Sequence, residues 1–368
     1  MAKTRKSSSK KAADTNASTN PAVQMDETQM TAIRMGVARM VLRMNACSFY
    51  DHQKVRLGSM NQLRDIIRRL AEGIPLDQPE DKKDKPDYSA AYADGKLMGI
   101  LTGLFKDKKI GKQEYKMIKT SLKVALDAAK LEKEHQKIMA ASVKQEPLWH
   151  EFLVHIKGIG EVLAANLLSR IGHCETYERI SSLWRNFGYA VICPTCTDTI
   201  HDDKRDIDRI VPVCANNQGS CPRCGAKGVS QRKKVGRNLD FDPDLRVLGY
   251  KIGSCLIKAS SPIYYDIYAK EKERLLARVY APGELFKRNG KPYKPEDTQL
   301  SKGHASAMAL RKMVKIFLSH YWVKSRELKQ LPITKPYAHT HMDHVHIITY
   351  QQVLDANAAN LKSKKKAG

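Results

Sequence analysis

Four cysteines have the spacing of a metal site. Cys193-Pro194-Thr195-Cys196 and Cys221-Pro222-Arg223-Cys224-Gly225 are two Cys-x-x-Cys knuckles. Each pair lets two thiolates reach one ion from a tight turn, and two knuckles together complete a tetrahedral zinc site with no open position. A closed four-thiolate site is structural, not catalytic. The 24 residues between the knuckles, 197–220, make a loop slightly longer than the usual ribbon spacing. Cys214 inside that loop is an alternative ligand, and His201 a weaker one. Cys47, Cys174 and Cys255 fall in helical patterns and read as buried small apolar residues.

Two other clusters could gather a cation. His339, His341, His344 and His346, with Asp343, lie close to the C-terminus. On a strand His339 and His341 share one face, and so do His344 and His346. That arrangement offers a second site for zinc or another transition metal, or a simple turn between short strands. Asp240, Asp242 and Asp244 alternate with Leu239, Phe241 and Pro243. Three carboxylates could hold a divalent metal for phosphoryl chemistry, but before Leu245 they read better as a turn and helix cap.

The run His155-Ile156-Lys157-Gly158-Ile159-Gly160-Glu161-Val162-Leu163-Ala164-Ala165 is a helix-hairpin-helix pattern. Its glycines permit φ > 0 and close approach to a ligand. The N–H groups at the start of the following helix can hold a DNA phosphate, and Lys157 adds charge beside Gly158, Ile159 and Gly160. The alternative is a glycine turn between two packed helices.

The rest of the chain must position these groups. It has 368 residues, 42% of them hydrophobic, enough for two or three domains with a sizeable core. Lys and Arg number 64 against 39 Asp and Glu, a net charge of +25. Such an excess attracts polyanions, double-stranded DNA above all. No apolar run approaches a membrane span, and the opening residues are not a secretory signal. Eight cysteines, several paired, fit a reducing interior better than a disulfide framework. The expectation is a cytoplasmic, nucleoid-associated protein of prokaryotic or viral origin, with no membrane partner.

The pattern predicts a mainly α fold. Residues 1–25 read as a disordered basic tail. Residues 26–148 read as a helical hairpin or coiled coil through which the chain would form homo-oligomers. Met30, Ile33, Val37, Met40, Val41 and Met44 recur at helical spacing, and Leu57, Met60, Leu63, Ile66, Ile67 and Leu70 repeat it before Gly73 and Pro75. Residues 77–87 are a polar linker within this part. Residues 149–190 are the helix-hairpin-helix part, and 191–229 the inserted zinc ribbon. Residues 230–350 are the remainder of the domain, strand-like over 337–350, and 351–368 a basic C-terminal tail.

Two stretches resemble the transposases of the insertion-sequence 110/116/902 family. One is Val55-Arg56-Leu57-Gly58-Ser59-Met60-Asn61-Gln62-Leu63-Arg64, ending in Ala71-Glu72-Gly73-Ile74. The other runs from Ile156-Lys157-Gly158-Ile159-Gly160 to Ile171-Gly172, then Tyr177, Leu183 and Phe187-Gly188-Tyr189; Asp244-Leu245-Arg246 with Leu248 resembles the helix that follows. Lys157 replaces the family's proline. The resemblance implies a transposase or recombinase of mobile DNA, a guide RNA, and a catalytic serine. The serine position that matches best is Ser230, with Arg232, Lys233, Lys234 and Arg237 as DNA-binding and charge-stabilising neighbours. The chain departs from the family in lacking room for its N-terminal RNase-H-like domain and in carrying the cysteine insertion. Two further readings stand beside this one: a non-catalytic DNA-binding module, and a metal-dependent nuclease using the C-terminal histidines.

Overall fold

The computed structural model describes residues 26–75, 90–193, 195, 221, 224–226, 228–230, 239, 241–281, 285, 293–294, 296–334 and 348–367. Among them the protein is mainly helical, as the sequence pattern predicts. No helix among the described residues is long and apolar enough to cross a membrane.

The helices are α1 (Glu27–Glu72), α2 (Leu97–Lys106), α3 (Lys112–Val143), α4 (Pro147–Glu151), α5 (Glu161–Ile171), α6 (Ile180–Asn186), α7 (Pro243–Lys258), α8 (Tyr264–Ala277), α9 (Lys302–Leu328) and α10 (Tyr350–Ala367). A 3-10 turn spans Leu153–His155. Two short strands, β1 (Val191–Ile192) and β2 (Val229–Ser230), pair antiparallel.

The chain divides into two compact units, Met1–Ala38 and Arg39–Gly368. In the first, the described residues are the opening turns of α1. Gln29 N–H donates to Asp26 Oδ1 at 2.6 Å and Asp26 N–H donates to Gln29 Oε1 at 3.2 Å, a reciprocal cap that fixes where the helix starts. Ile33 and Val37 are exposed.

In the second unit, α1 continues with buried Leu42, Ala46, Phe49, Met60, Leu63 and Ile67 along one face, in alternating three- and four-residue steps interrupted by Gln53 and Arg56. Leu42, Ala46 and Phe49 share a cluster with Met139 and Val143 of α3. Met60, Leu63 and Ile67 share another with Leu122 and Ala125 of α3 and Leu97, Leu101 and Leu104 of α2. The two helices therefore run antiparallel, as an intramolecular hairpin.

The middle of that seam is polar. Arg56 Nε donates to Glu132 Oε2 at 2.6 Å, and Gln53 Nε2 donates to Glu132 Oε1 at 2.9 Å. Burial pushes the Glu132 carboxyl up, but the bonds from Arg56 and Gln53 outweigh it and hold the group below the usual range. Together with the bond between Asn45 and His135 at 2.9 Å, this bidentate pair fixes the register of the hairpin, since a slip would strand a charge. Met40, Val41 and Met44 lie on the other side of α1 and are exposed, so in this chain they are not core. Cys47 is exposed as well, which corrects its reading as a buried residue; Cys174 is buried and Cys255 half-buried.

The largest core gathers α4 through α10 around α9, whose Met313, Val314, Phe317, Leu318, Tyr321 and Trp322 are fully or nearly fully buried. The loop after α5 turns its carbonyls inward, and α9 answers them. Tyr321 Oη donates to Gly172 O at 2.7 Å and Trp322 Nε1 to Tyr177 O at 2.7 Å. Arg326 is buried without a carboxylate among the partners seen; it donates to Cys174 O, Tyr177 O and Pro332 O. The segment 351–368, expected as a basic tail, is instead mostly the helix α10. Val353 and Asn357, one turn apart, are buried and anchor it.

Candidate functional site

The first candidate site begins where α6 ends. Gly188 has φ +67 and sits so close to Phe241 that a Cβ would meet the ring at 2.9 Å. It turns the chain through Tyr189 into β1. Arg311 of α9 donates to Tyr189 O at 2.5 Å and so fixes the strand's root. Tyr189 also lies against Gly249 of α7, so the Phe187-Gly188-Tyr189 element and the Leu245–Leu248 helix are packed in one core.

β1 delivers Cys193, and β2 closes the segment by pairing Val191 with Ser230 and Ile192 with Val229. The second knuckle is a tight turn in which Gly225 N–H donates to Cys221 O at 2.9 Å, with Gly225 at φ +72. Cys221 N–H donates to Ala226 O at 2.8 Å. The result brings the sulfurs of Cys193, Cys221 and Cys224 within 4.8 Å of one another, with Cys193 Sγ 3.5 Å from Cys224 Sγ. Zinc–sulfur bonds of ~2.3 Å at tetrahedral angles require sulfurs about 3.8 Å apart. Three cysteines are therefore close enough to bind one metal ion, and soft thiolates suit zinc. Cys193 and Cys221 are buried, while Cys224 is exposed. Cys196, Cys214 and His201 lie outside the described residues.

The main chain of Ser230 is part of β2, so its backbone serves to close the cysteine segment. Arg232, Lys233, Lys234 and Arg237 lie outside the described residues, as do Asp240 and the cluster His339, His341, His344 and His346. Asp242 and Asp244 are described, and both are engaged. Asp242 caps α7, accepting from Asp244 N–H at 2.8 Å and Leu245 N–H at 3.4 Å. Arg170 of α5 donates to Asp244 Oδ2 at 3.1 Å and approaches Asp242 at 3.7 Å. Asp242 thus does what the capping alternative expects, while Asp244 pairs with Arg170.

The second candidate site is the turn between the 3-10 turn and α5. Ile159 N–H donates to Ile156 O at 3.0 Å, closing it. The two glycines do different work. Gly158 has φ +101, and a Cβ there would meet Cys255 O of α7 at 2.8 Å and Ala259 Cβ at 3.0 Å. Its close approach is to the end of α7, a packing contact. Gly160 is exposed, extended at φ −101 and ψ 176, and has nothing within 4 Å of a Cβ position. It is the N-cap of α5 and supplies no side-chain cap, so the N–H groups of the first turn have no capping side chain from it. From the other side, Asn357 of α10 accepts from Lys157 N–H at 3.2 Å and ties the turn to the C-terminal helix.

Sequence reasoning missed Asn357, which is 200 residues from its partner. It also missed two partly buried cations of α9, one beside α6 and one at the root of β1. Lys315 lies 4.7 Å from the Trp184 ring, and Arg311 5.9 Å from the Tyr189 ring. Burial, and then the Arg311 charge, push the Lys315 amine down to about 8. The signal was available: Arg311 and Lys315 sit one turn apart among the apolar positions of α9.

Compared with protein-family models, with curated proteins and with solved structures, the chain matches none of them.

Proposed function

We propose that this is a DNA-binding protein related to the transposases and recombinases of mobile elements. It grips duplex DNA at the N-terminus of α5. A structural zinc on Cys193, Cys196, Cys221 and Cys224 holds the adjoining cysteine segment in shape.

The observation that carries the reading is the open first turn of α5. Gly160 is exposed, has open space beside it, and gives that turn no side-chain cap. An N-terminus of this kind concentrates partial positive charge and N–H donors, which suit a phosphate oxygen. Such a contact positions a duplex without reading its bases. The net charge of +25 supplies the long-range attraction. Self-association belongs to the same reading. Met117, Val124, Leu131 and Ile138 follow one another every seven residues along α3 and are between 45% and 65% exposed, a stripe a second copy would cover.

The test is a salt titration of binding to a duplex of arbitrary sequence. We expect log affinity to fall linearly with log salt at about −0.9 per phosphate contacted, with little dependence on sequence. A flat salt dependence, or no binding at low salt, contradicts the reading.

A further inference from the structure

The hairpin made by α1 and α3 ends, at the start of α3, in a row of lysines. Lys112, Lys116, Lys119 and Lys123 are all exposed. Their spacing of four, three and four residues keeps them within about 60° of one another around the helix, along roughly 16 Å of its length. They lie on the far side of α3 from Ala125 and Glu132, which face the interior of the hairpin. Lys108, in the turn before α3, is exposed as well.

This face lacks the compensation found elsewhere on the same helix. Further along α3, Lys130 pairs with Asp127 at 2.9 Å and Lys137 with Glu134 at 2.8 Å. Among the described residues none of the four lysines in the row makes an ion pair. Asp127 follows Lys123 by four residues but gives its carboxylate to Lys130. Lys112 with Lys116, Lys116 with Lys119, and Lys119 with Lys123 are instead like-charge neighbours at helical contact spacing, an arrangement that weakens an isolated helix. Among the described residues the row meets only the Tyr115 ring, 5.3 Å from Lys119 Nζ, and the weak pull of Lys123 on Asp127, and neither is a carboxylate paired to the row. An external polyanion would offset the repulsion.

We propose that this lysine row is a second DNA-docking surface, placing the α1–α3 hairpin along the phosphates of the duplex gripped at α5. The inference rests on the DNA-binding reading. A row of about 16 Å faces several successive phosphates, since duplex DNA carries a charge every ~1.7 Å of axis. The hairpin would then contribute affinity and orientation but no sequence preference.

The experiment compares the salt dependence of duplex binding in the full chain and two variants. One carries Lys112→Gln, Lys116→Gln, Lys119→Gln and Lys123→Gln. The other removes the same charge from the N-terminal segment, with Lys3→Gln, Lys6→Gln, Lys10→Gln and Lys11→Gln. Circular dichroism checks that both stay helical. The row variant should bind with a slope shallower by roughly 0.9 for each phosphate it no longer neutralises, about 3.6 if all four lysines are used. The N-terminal variant should change the slope by less. A row variant whose slope changes by less than about 0.9, the worth of one phosphate, overturns the proposal. So does an equal change in both variants, which would make net charge the cause. So does loss of binding to anionic phosphatidylserine vesicles with duplex binding intact, which would make a membrane the partner. If the unaltered chain does not bind duplex at all, the DNA reading fails and this inference with it. If it binds and the row variant keeps the same salt slope, this inference alone fails.

Discussion

Replacing Gly158 by alanine separates the two glycines of the hairpin turn. At Gly158 the backbone has φ +101, where an L side chain is strained by ~1–2 kcal/mol. The added Cβ would also stand 2.8 Å from Cys255 O and 3.0 Å from Ala259 Cβ, and both belong to the end of α7. Neither is the far end of a flexible side chain, so the turn or the helix must shift, at a typical overpacking cost of ~1–3 kcal/mol. The lost freedom of the unfolded chain returns ~0.4–1 kcal/mol. The net expectation is a destabilisation of roughly 2–4 kcal/mol. Gly160→Ala meets nothing within 4 Å and keeps ordinary backbone angles, so it should change stability by less than about 1 kcal/mol. Urea unfolding at 25 °C reads the difference. With a slope of about 3 kcal/mol per molar, Gly158→Ala should lower the midpoint by about 1 M at unchanged slope, and Gly160→Ala should leave it nearly in place. Equal midpoints for the two variants would refute the assignment of Gly158 to packing.

The metal centre and a buried histidine give two more tests. Purified protein should carry about one zinc per chain, and Cys221→Ser should release it while Cys47→Ser, on the exposed side of α1, retains it; metal analysis showing the same content in both variants contradicts the site. His320 should make stability fall with acid. Its Nε2–H donates to Ile348 O at 2.7 Å and its Nδ1 accepts from Tyr264 Oη at 2.8 Å, which fixes the neutral ring. Burial holds its pKa down at about 4, against 6.5 when unfolded. The unfolded chain therefore binds the extra proton below 6.5, and stability present above that pH is lost as pH falls from 6.5 toward 4, by up to about 3 kcal/mol. His320→Gln should flatten urea midpoints measured between pH 7.5 and 4.5, and an unchanged pH dependence would contradict this role.

Much of the helical frame was legible because apolar spacing is a local property. Met60, Leu63 and Ile67 could be read as one face of a helix, and they are. Periodicity does not say which of two stripes turns inward. Met30 to Met44 form a regular stripe, but the buried face of α1 is the one through Leu42, Ala46 and Phe49. The same limit applies to α10: its composition is that of a basic tail, and only Val353 and Asn357 reveal that it docks. The knuckles were legible because ligand spacing is also local, and Cys193, Cys221 and Cys224 do converge. The division of labour between Gly158 and Gly160 was not, because it depends on Cys255 and Ala259, roughly a hundred residues further along the chain.

The central claim is that the open N-terminus of α5 holds a DNA phosphate through its backbone. Gly160→Val tests it most directly, since a branched side chain there would block close approach while leaving the packed Gly158 untouched. Duplex affinity at fixed salt should fall by about tenfold or more, the worth of a hydrogen bond to a charged group, with the helical spectrum unchanged. Lys364→Ala, in the lysine-rich end of α10, should cost at most the worth of one phosphate contact. Equal affinities in the two variants would contradict the account and leave the protein's attraction to DNA resting on charge alone.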